Sequence, residues 1–78
     1  MKKIIFSEHA RERLKERHIT ELEVRQALDD PHITAPTRRK RRKRAMKTLN
    51  DRTLDIIYEE RPNYYHIVTC AVLEKDKK

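Results

Sequence analysis

Apolar and polar positions change their period along this chain, and each change marks an element. Ile4, Ile5 and Phe6 form a short apolar block, which predicts a strand over Lys2–Phe6. From Glu8 the spacing turns helical, with Ala10 and Leu14 four apart on one face. Ser7 is a good N-cap for this helix, and Glu8 suits the positive end of its dipole. The helix is expected to run to about Arg17. Thr20 and Glu23 form a Thr-x-x-Glu capping box, and Ile19 with Val24 can form the accompanying hydrophobic staple. The second helix carries Leu22, Val24, Ala27 and Leu28. It stops at Asp30, because the residue before Pro31 is pushed out of the helical region. Only His18 and Ile19 join the two helices, so they form a compact hairpin.

After Pro31 the period becomes two. His32 to Pro36 is extended or looping. Asn50-Asp51 suits the left-handed turn of a two-residue hairpin. Arg52 to Glu60 reads as a strand with Leu54, Ile56 and Tyr58 on one side. Arg61-Pro62-Asn63 makes a second turn, with Asn63 as the residue able to take positive φ. Tyr64 to Leu73 is the strongest strand, rich in aromatic and β-branched residues. Pairing Glu60 with Tyr64 sets Leu54, Ile56 and Tyr58 beside Cys70, Val68 and His66, facing the helices. Asp55, Ile57, Tyr65, Ile67 and Thr69 then take the opposite face. Both faces are partly apolar, which leaves a one-residue slip open. The architecture expected is a single α+β domain over residues 1–78. It has a short N-terminal strand, a two-helix hairpin and an antiparallel meander of about three strands. Residues 74–78 are expected to fray.

Composition narrows the class. Seventy-eight residues make one domain with a small core. Only 36% of residues are hydrophobic, but they cluster, which favours a folded unit. The single cysteine, Cys70, excludes an internal disulfide and suits the reducing cytoplasm. Ile4-Ile5-Phe6 is far too short to span a membrane or serve as a signal peptide, so no membrane association is expected. Glycine is absent, which excludes the Gly-rich phosphate loops of nucleotide-binding folds.

Charge adds a partner. Arg38, Arg39, Lys40, Arg41, Arg42, Lys43 and Arg44 are seven consecutive basic residues within a segment spanning 37–47. That run equals the whole net charge of +7, and Lys47 adds one more. The other 12 basic residues nearly balance the 13 acidic ones. With no acid interspersed, the run makes a strong local field, which implies a polyanion. Nucleic acid, RNA above all, is the partner expected, held by phosphate contacts that do not read sequence. The segment itself can be a disordered arm, a nuclear-targeting-like peptide, or a strand with charges on both faces.

His9, Arg13 and Arg17 recur at four-residue spacing and form one stripe on the first helix, bordering its core face. An imidazole with two guanidinium groups is a plausible phosphodiester site. The imidazole can move a proton near neutral pH, and the guanidinium forks can hold phosphate oxygens. From spacing alone the stripe reads first as structural, with Arg13 and Arg17 paired to Glu12, Glu16 or Glu21 and His9 a residue of the helix N-terminus. His66, on the last strand near Thr69, Tyr64 and Tyr65, can supply a second proton carrier. One of the two tyrosines must point away from the core, where it could stack on a base. Cys70 falls in an apolar strand and reads as core filling. His9, His18, His32, His66 and Cys70 show no zinc-ligand spacing, so no metal or other cofactor is expected.

The string Phe6-Ser7-Glu8-His9-Ala10, followed at fixed spacing by Arg13, Arg17, Ile19, Val24, Ala27-Leu28 and Pro31, resembles the bacterial domain-of-unknown-function family 4258. Arg52 to Ile57 and His66 to Thr69 resemble its second half, so the likeness covers nearly the whole chain. It implies a RelE-like, barnase-like fold, the group that holds many toxin ribonucleases. It also implies site residues at His9, Arg13, Arg17 and Thr69. Relatives usually carry glycine where this chain has His18, and often a glycine-containing hairpin where it has the basic run. They often end the last strand with an aromatic residue, where this chain has Ala71 and Val72.

The function expected is therefore RNA binding with metal-independent endoribonuclease activity of the toxin type. The alternatives are a non-catalytic nucleic-acid-binding domain, or a domain that meets an acidic partner such as an antitoxin.

Overall fold

The computed structural model describes residues 3–39, 41–49 and 51–74. The chain forms β1 (Lys3–Phe6), α1 (Glu8–Arg17), α2 (Glu21–Asp29), β2 (Ile33–Pro36), β3 (Arg42–Leu49), β4 (Arg52–Glu60) and β5 (Tyr64–Glu74). The strands make one sheet in the order β1-β5-β4-β3-β2. β1 runs parallel to β5, and every other pair is antiparallel. This is the α+β arrangement expected, with a meander of four strands instead of about three. The added pairing comes from β2 and from the second half of the basic run, which is strand β3.

Local signals set the helices. The Ser7 hydroxyl accepts from the Ala10 N–H at 3.0 Å and donates to the Val68 carbonyl at 2.9 Å. One side chain thus caps α1 and ties it to β5. Thr20 and Glu23 form the full reciprocal capping box of α2. α1 ends at His18, which takes φ 55 and ψ 47, the left-handed conformation that costs a residue with a Cβ. That geometry explains why glycine is the residue expected there. Asp51, in the β3–β4 turn, is also at positive φ, 69. Asn63 is not: the Arg61 N–H closes on the Tyr64 carbonyl at 2.8 Å with negative φ at both central residues. Proline at the first central position favours that kind of turn.

This turn and a bulge overturn the expected β4–β5 register. Glu60 pairs with Tyr65, Glu59 with His66 and Tyr58 with Ile67. The register then shifts, and Ile57 pairs with Thr69 and Ile56 with Cys70. Val68 is the extra residue. Ile67, expected on the open face, is fully buried, and Tyr65 packs edge-on against Tyr58 with ring centroids 5.5 Å apart. His66, expected beside Tyr58 under the helices, lies beside Glu59 on the other face.

One core joins the layers. Ala10 and Leu14 of α1, and Val24, Ala27 and Leu28 of α2, pack with Leu54, Ile56, Ile67 and Cys70. α1 lies chiefly on β5, and α2 on β3 and β4. Both helices therefore cover one face of the sheet. The opposite face carries Arg42, Arg44, Glu59 and His66.

Candidate nucleic-acid interface

The basic run divides into two parts. From Arg42 onward its charges meet acids across the strands. Arg42 Nε reaches Glu59 Oε2 at 3.4 Å, and Lys43 Nζ reaches Glu60 Oε1 at 3.2 Å. Arg44 forks onto Asp55, Nε to Oδ1 at 2.9 Å and Nη2 to Oδ2 at 2.6 Å. Lys47 Nζ holds both the carbonyl and the carboxylate of Asp30, at 2.8 and 3.2 Å. The hydrogen bond to Glu60, with the charge behind it, raises the Lys43 pKa, and the bond and charge of Asp55 raise that of Arg44. No acid is interspersed in the run, but acids on β4 and at the end of α2 meet this part of it from across the sheet.

The first part remains open. Arg38, Arg39 and Arg41 are exposed, and among the described residues nothing pairs with their guanidinium groups. Lys40 lies outside the described residues. Hydrogen bonds tie the described residues on either side of it. The Thr37 hydroxyl meets the Arg39 N–H at 3.2 Å and the Arg42 carbonyl at 3.1 Å, and the Arg42 N–H donates to the Arg39 carbonyl at 3.0 Å.

Next to this tip, on the open face, Glu59 is a hub. It accepts from Arg42 and, through Oε1, from Arg61 Nη2 at 2.7 Å. His66 Nδ1 lies 3.6 Å from the same oxygen. Burial pushes the Glu59 carboxyl up, but the bond from Arg42, the charge of Arg61, the nearby His66 imidazole and the bond from Arg61 outweigh it. The group is held below its ordinary value. With Nδ1 facing that carboxylate, Nε2 is the ring nitrogen turned away from it and available as an acceptor. His66 keeps 37% of its side chain exposed, so that acceptor is within reach of a ligand.

The helix stripe is separate. Arg13 is paired to Glu16 at 2.8 Å, the structural alternative. His9 is exposed in the first turn of α1. That turn is pinned to β5 by Ser7, whose N–H donates to Ile67 and whose hydroxyl donates to Val68, the residue before Thr69. Thr69 is half-buried opposite Ile57. Arg17 is exposed at the far end, where its carbonyl accepts from Arg52 Nη1 at 2.9 Å. Arg52 pairs with Leu49 at one end of the β3–β4 hairpin, and Arg42 pairs with Glu59 at the other. At about 3.3 Å per residue the two ends are roughly 23 Å apart. The fold therefore joins His66 to Arg42 through Glu59, and leaves Arg17 away from Arg38, Arg39 and Arg41.

Glu59 and Arg61 were not singled out in the sequence. Their signal is only the register that sets Glu59 opposite Arg42 and His66, and the bulge and turn hide it. Cys70 is buried, and burial with the charge of Asp55 pushes its thiol up to about 12, so it stays protonated. Among the described residues no group of three His, Cys, Asp or Glu side chains is placed to hold a metal ion. No helix among them is long and apolar enough to cross a membrane.

Over residues 6–72 the sequence matches a family model described as a domain of unknown function (DUF4258). No curated protein and no solved structure matches it.

Proposed function

This chain belongs to the DUF4258 family, and from that premise we propose that it binds RNA and cleaves it without a metal ion. The tip arginines Arg38, Arg39 and Arg41 hold the backbone. His66 Nε2 takes the proton of a ribose 2′-OH, whose oxygen attacks the adjacent phosphorus. The 5′-oxygen leaves and takes a proton from solvent water, giving a 2′,3′-cyclic phosphate and a 5′-hydroxyl end, and the His66 imidazolium returns its proton to solvent. Glu59 positions the imidazole. Arg61, beside it, offers positive charge to the pentacoordinate transition state. The work fits the cytoplasm, where RNA is abundant and Cys70 stays reduced.

One observation carries the reading. Three guanidinium groups without partners among the described residues stand at the same sheet end as a half-exposed imidazole backed by a carboxylate. The test is incubation with RNA in EDTA. The wild type should yield cyclic-phosphate ends, and His66→Ala should lose cleavage while keeping its circular dichroism and still binding RNA. His9→Ala, run beside it, reports on the helix stripe and should retain cleavage. RNA left intact by saturating wild-type protein would reject catalysis.

A second reading rests on its own observation. Arg42 and Arg44, the guanidinium groups on the open face in the rows of His66 and Thr69, are committed to Glu59 and Asp55. Such commitment suits a domain that binds RNA without cutting it. Bound but uncut RNA is the outcome that selects this reading.

A further inference from the structure

The parallel pairing of β1 with β5 builds a corner whose chemistry the tip arginines do not explain. The register sets Lys3 beside Tyr64 and Ile5 beside His66. Alternate residues of a strand share a face, so Lys3 and Ile5, and Tyr64 and His66, stand together on the open side of the sheet. Ile5 is an aliphatic side chain 46% exposed next to an imidazole. Lys3 is exposed, and Tyr64 is half-exposed. The two neighbouring tyrosines have divided roles. Tyr65 is spent on the core, edge-on to Tyr58, whereas among the described residues no ring contact or hydrogen bond engages the Tyr64 side chain.

We infer that Lys3, Ile5, Tyr64 and His66 seat one unstacked nucleotide, which makes single-stranded RNA the substrate class of this domain. The inference rests on the RNA reading above and adds what that reading leaves open. Tyr64 offers a π-face for one base, and Ile5 covers its sugar or its edge. Lys3 meets a phosphate. Tyr64 and His66 are two residues apart on one strand, about 7 Å, close to the step between neighbouring phosphates. A base stacked on Tyr64 thus carries its own ribose to His66. A base inside a duplex cannot reach Tyr64 without leaving its stack, so paired RNA forgoes that stacking.

The experiment compares fluorescence-anisotropy titrations of one RNA sequence as a single strand and as a duplex. The wild type should prefer the single strand. Tyr64→Ala should weaken single-strand binding by about 5- to 150-fold, the range of one base–aromatic stack, and should leave duplex binding unchanged. Because tyrosine is uncharged, the log–log salt slope should stay the same. Tyr64→Phe should bind like the wild type, which separates the ring from the hydroxyl and guards against a folding defect. Equal affinity of the wild type for strand and duplex would overturn the inference, as would equal single-strand affinity of Tyr64→Ala and wild type. Those outcomes leave the RNA reading standing. A wild type that binds no RNA in either form removes both.

Discussion

Arg44 and Asp55 form a two-pronged ion pair between β3 and β4 on the sheet face away from the helices. The carboxylate is buried and the guanidinium is 43% exposed, so the pair closes over the acid from the solvent side. This arginine, which looks in sequence like one more phosphate ligand, is what makes a buried Asp55 tolerable. Arg44→Met should cost about 2 kcal/mol in urea unfolding, because it strands a buried carboxylate. Adding Asp55→Asn to it should recover part of the loss. A neutral Arg44→Met would show that Asp55 draws its support elsewhere.

The tip arginines should behave in the opposite way. Replacing Arg38, Arg39 and Arg41 together by Ala should leave the unfolding midpoint within about 0.5 kcal/mol of the wild type, as for surface positions. The log–log salt slope of binding to single-stranded RNA should shrink by about 2, at roughly 0.7 for each phosphate no longer neutralised. An unchanged slope would place the phosphates on another surface.

These two expectations separate residues that a linear reading lumps together. The helices were legible because their signals are local: a cap at Ser7, a box at Thr20 and Glu23, a stop before Pro31. β3 was legible only as one of several readings of the basic run, because its counter-charges Asp55, Glu59 and Glu60 lie 11 to 17 residues on and meet it only through strand pairing. The position of His66 was hidden for a related reason. One extra residue at Val68 and a tighter turn at Pro62-Asn63 exchange the faces of His66 and Ile67; Pro62 marks the turn but not its length, and the bulge carries no sequence mark. Of the sites proposed from sequence, the stripe was correctly placed on one helix, but its distance from the basic tip depends on the β3–β4 hairpin.

Acid should weaken the fold through Glu23. Its bond from the Thr20 backbone N–H comes first in lowering its pKa, and burial opposes it. The bonds and charge of Arg52 then add to the lowering. A carboxyl depressed in the folded state contributes stability above its unfolded value. That contribution is lost as the pH falls below the ordinary 4.5 and through the lowered folded value. Glu23→Gln keeps an acceptor for the capping box and loses the ion pair. It should be less stable than the wild type by about 1 kcal/mol at neutral pH. The gap should close in acid. Parallel losses at every pH would assign the effect to packing.

His18 offers a gain. Held at φ 55, it bears the cost of a Cβ in the left-handed region, which glycine does not. His18→Gly should raise stability by about 1 kcal/mol, or roughly 4–8 °C in Tm for a domain of this size. A lower Tm would mean that the imidazole repays its strain with contacts of its own.

Strand β1 precedes every other element described, yet among the described residues its sheet partner is β5 alone, and Ser7 fastens the start of α1 to that same strand. During synthesis, then, the first strand has nothing to pair with until the last one has left the ribosome. The two helices can form early, but the corner of Lys3, Ile5, Tyr64 and His66 is assembled only at the end. The arginines of the tip therefore emerge before the proposed nucleotide seat exists, and that seat is complete only once β5 has emerged.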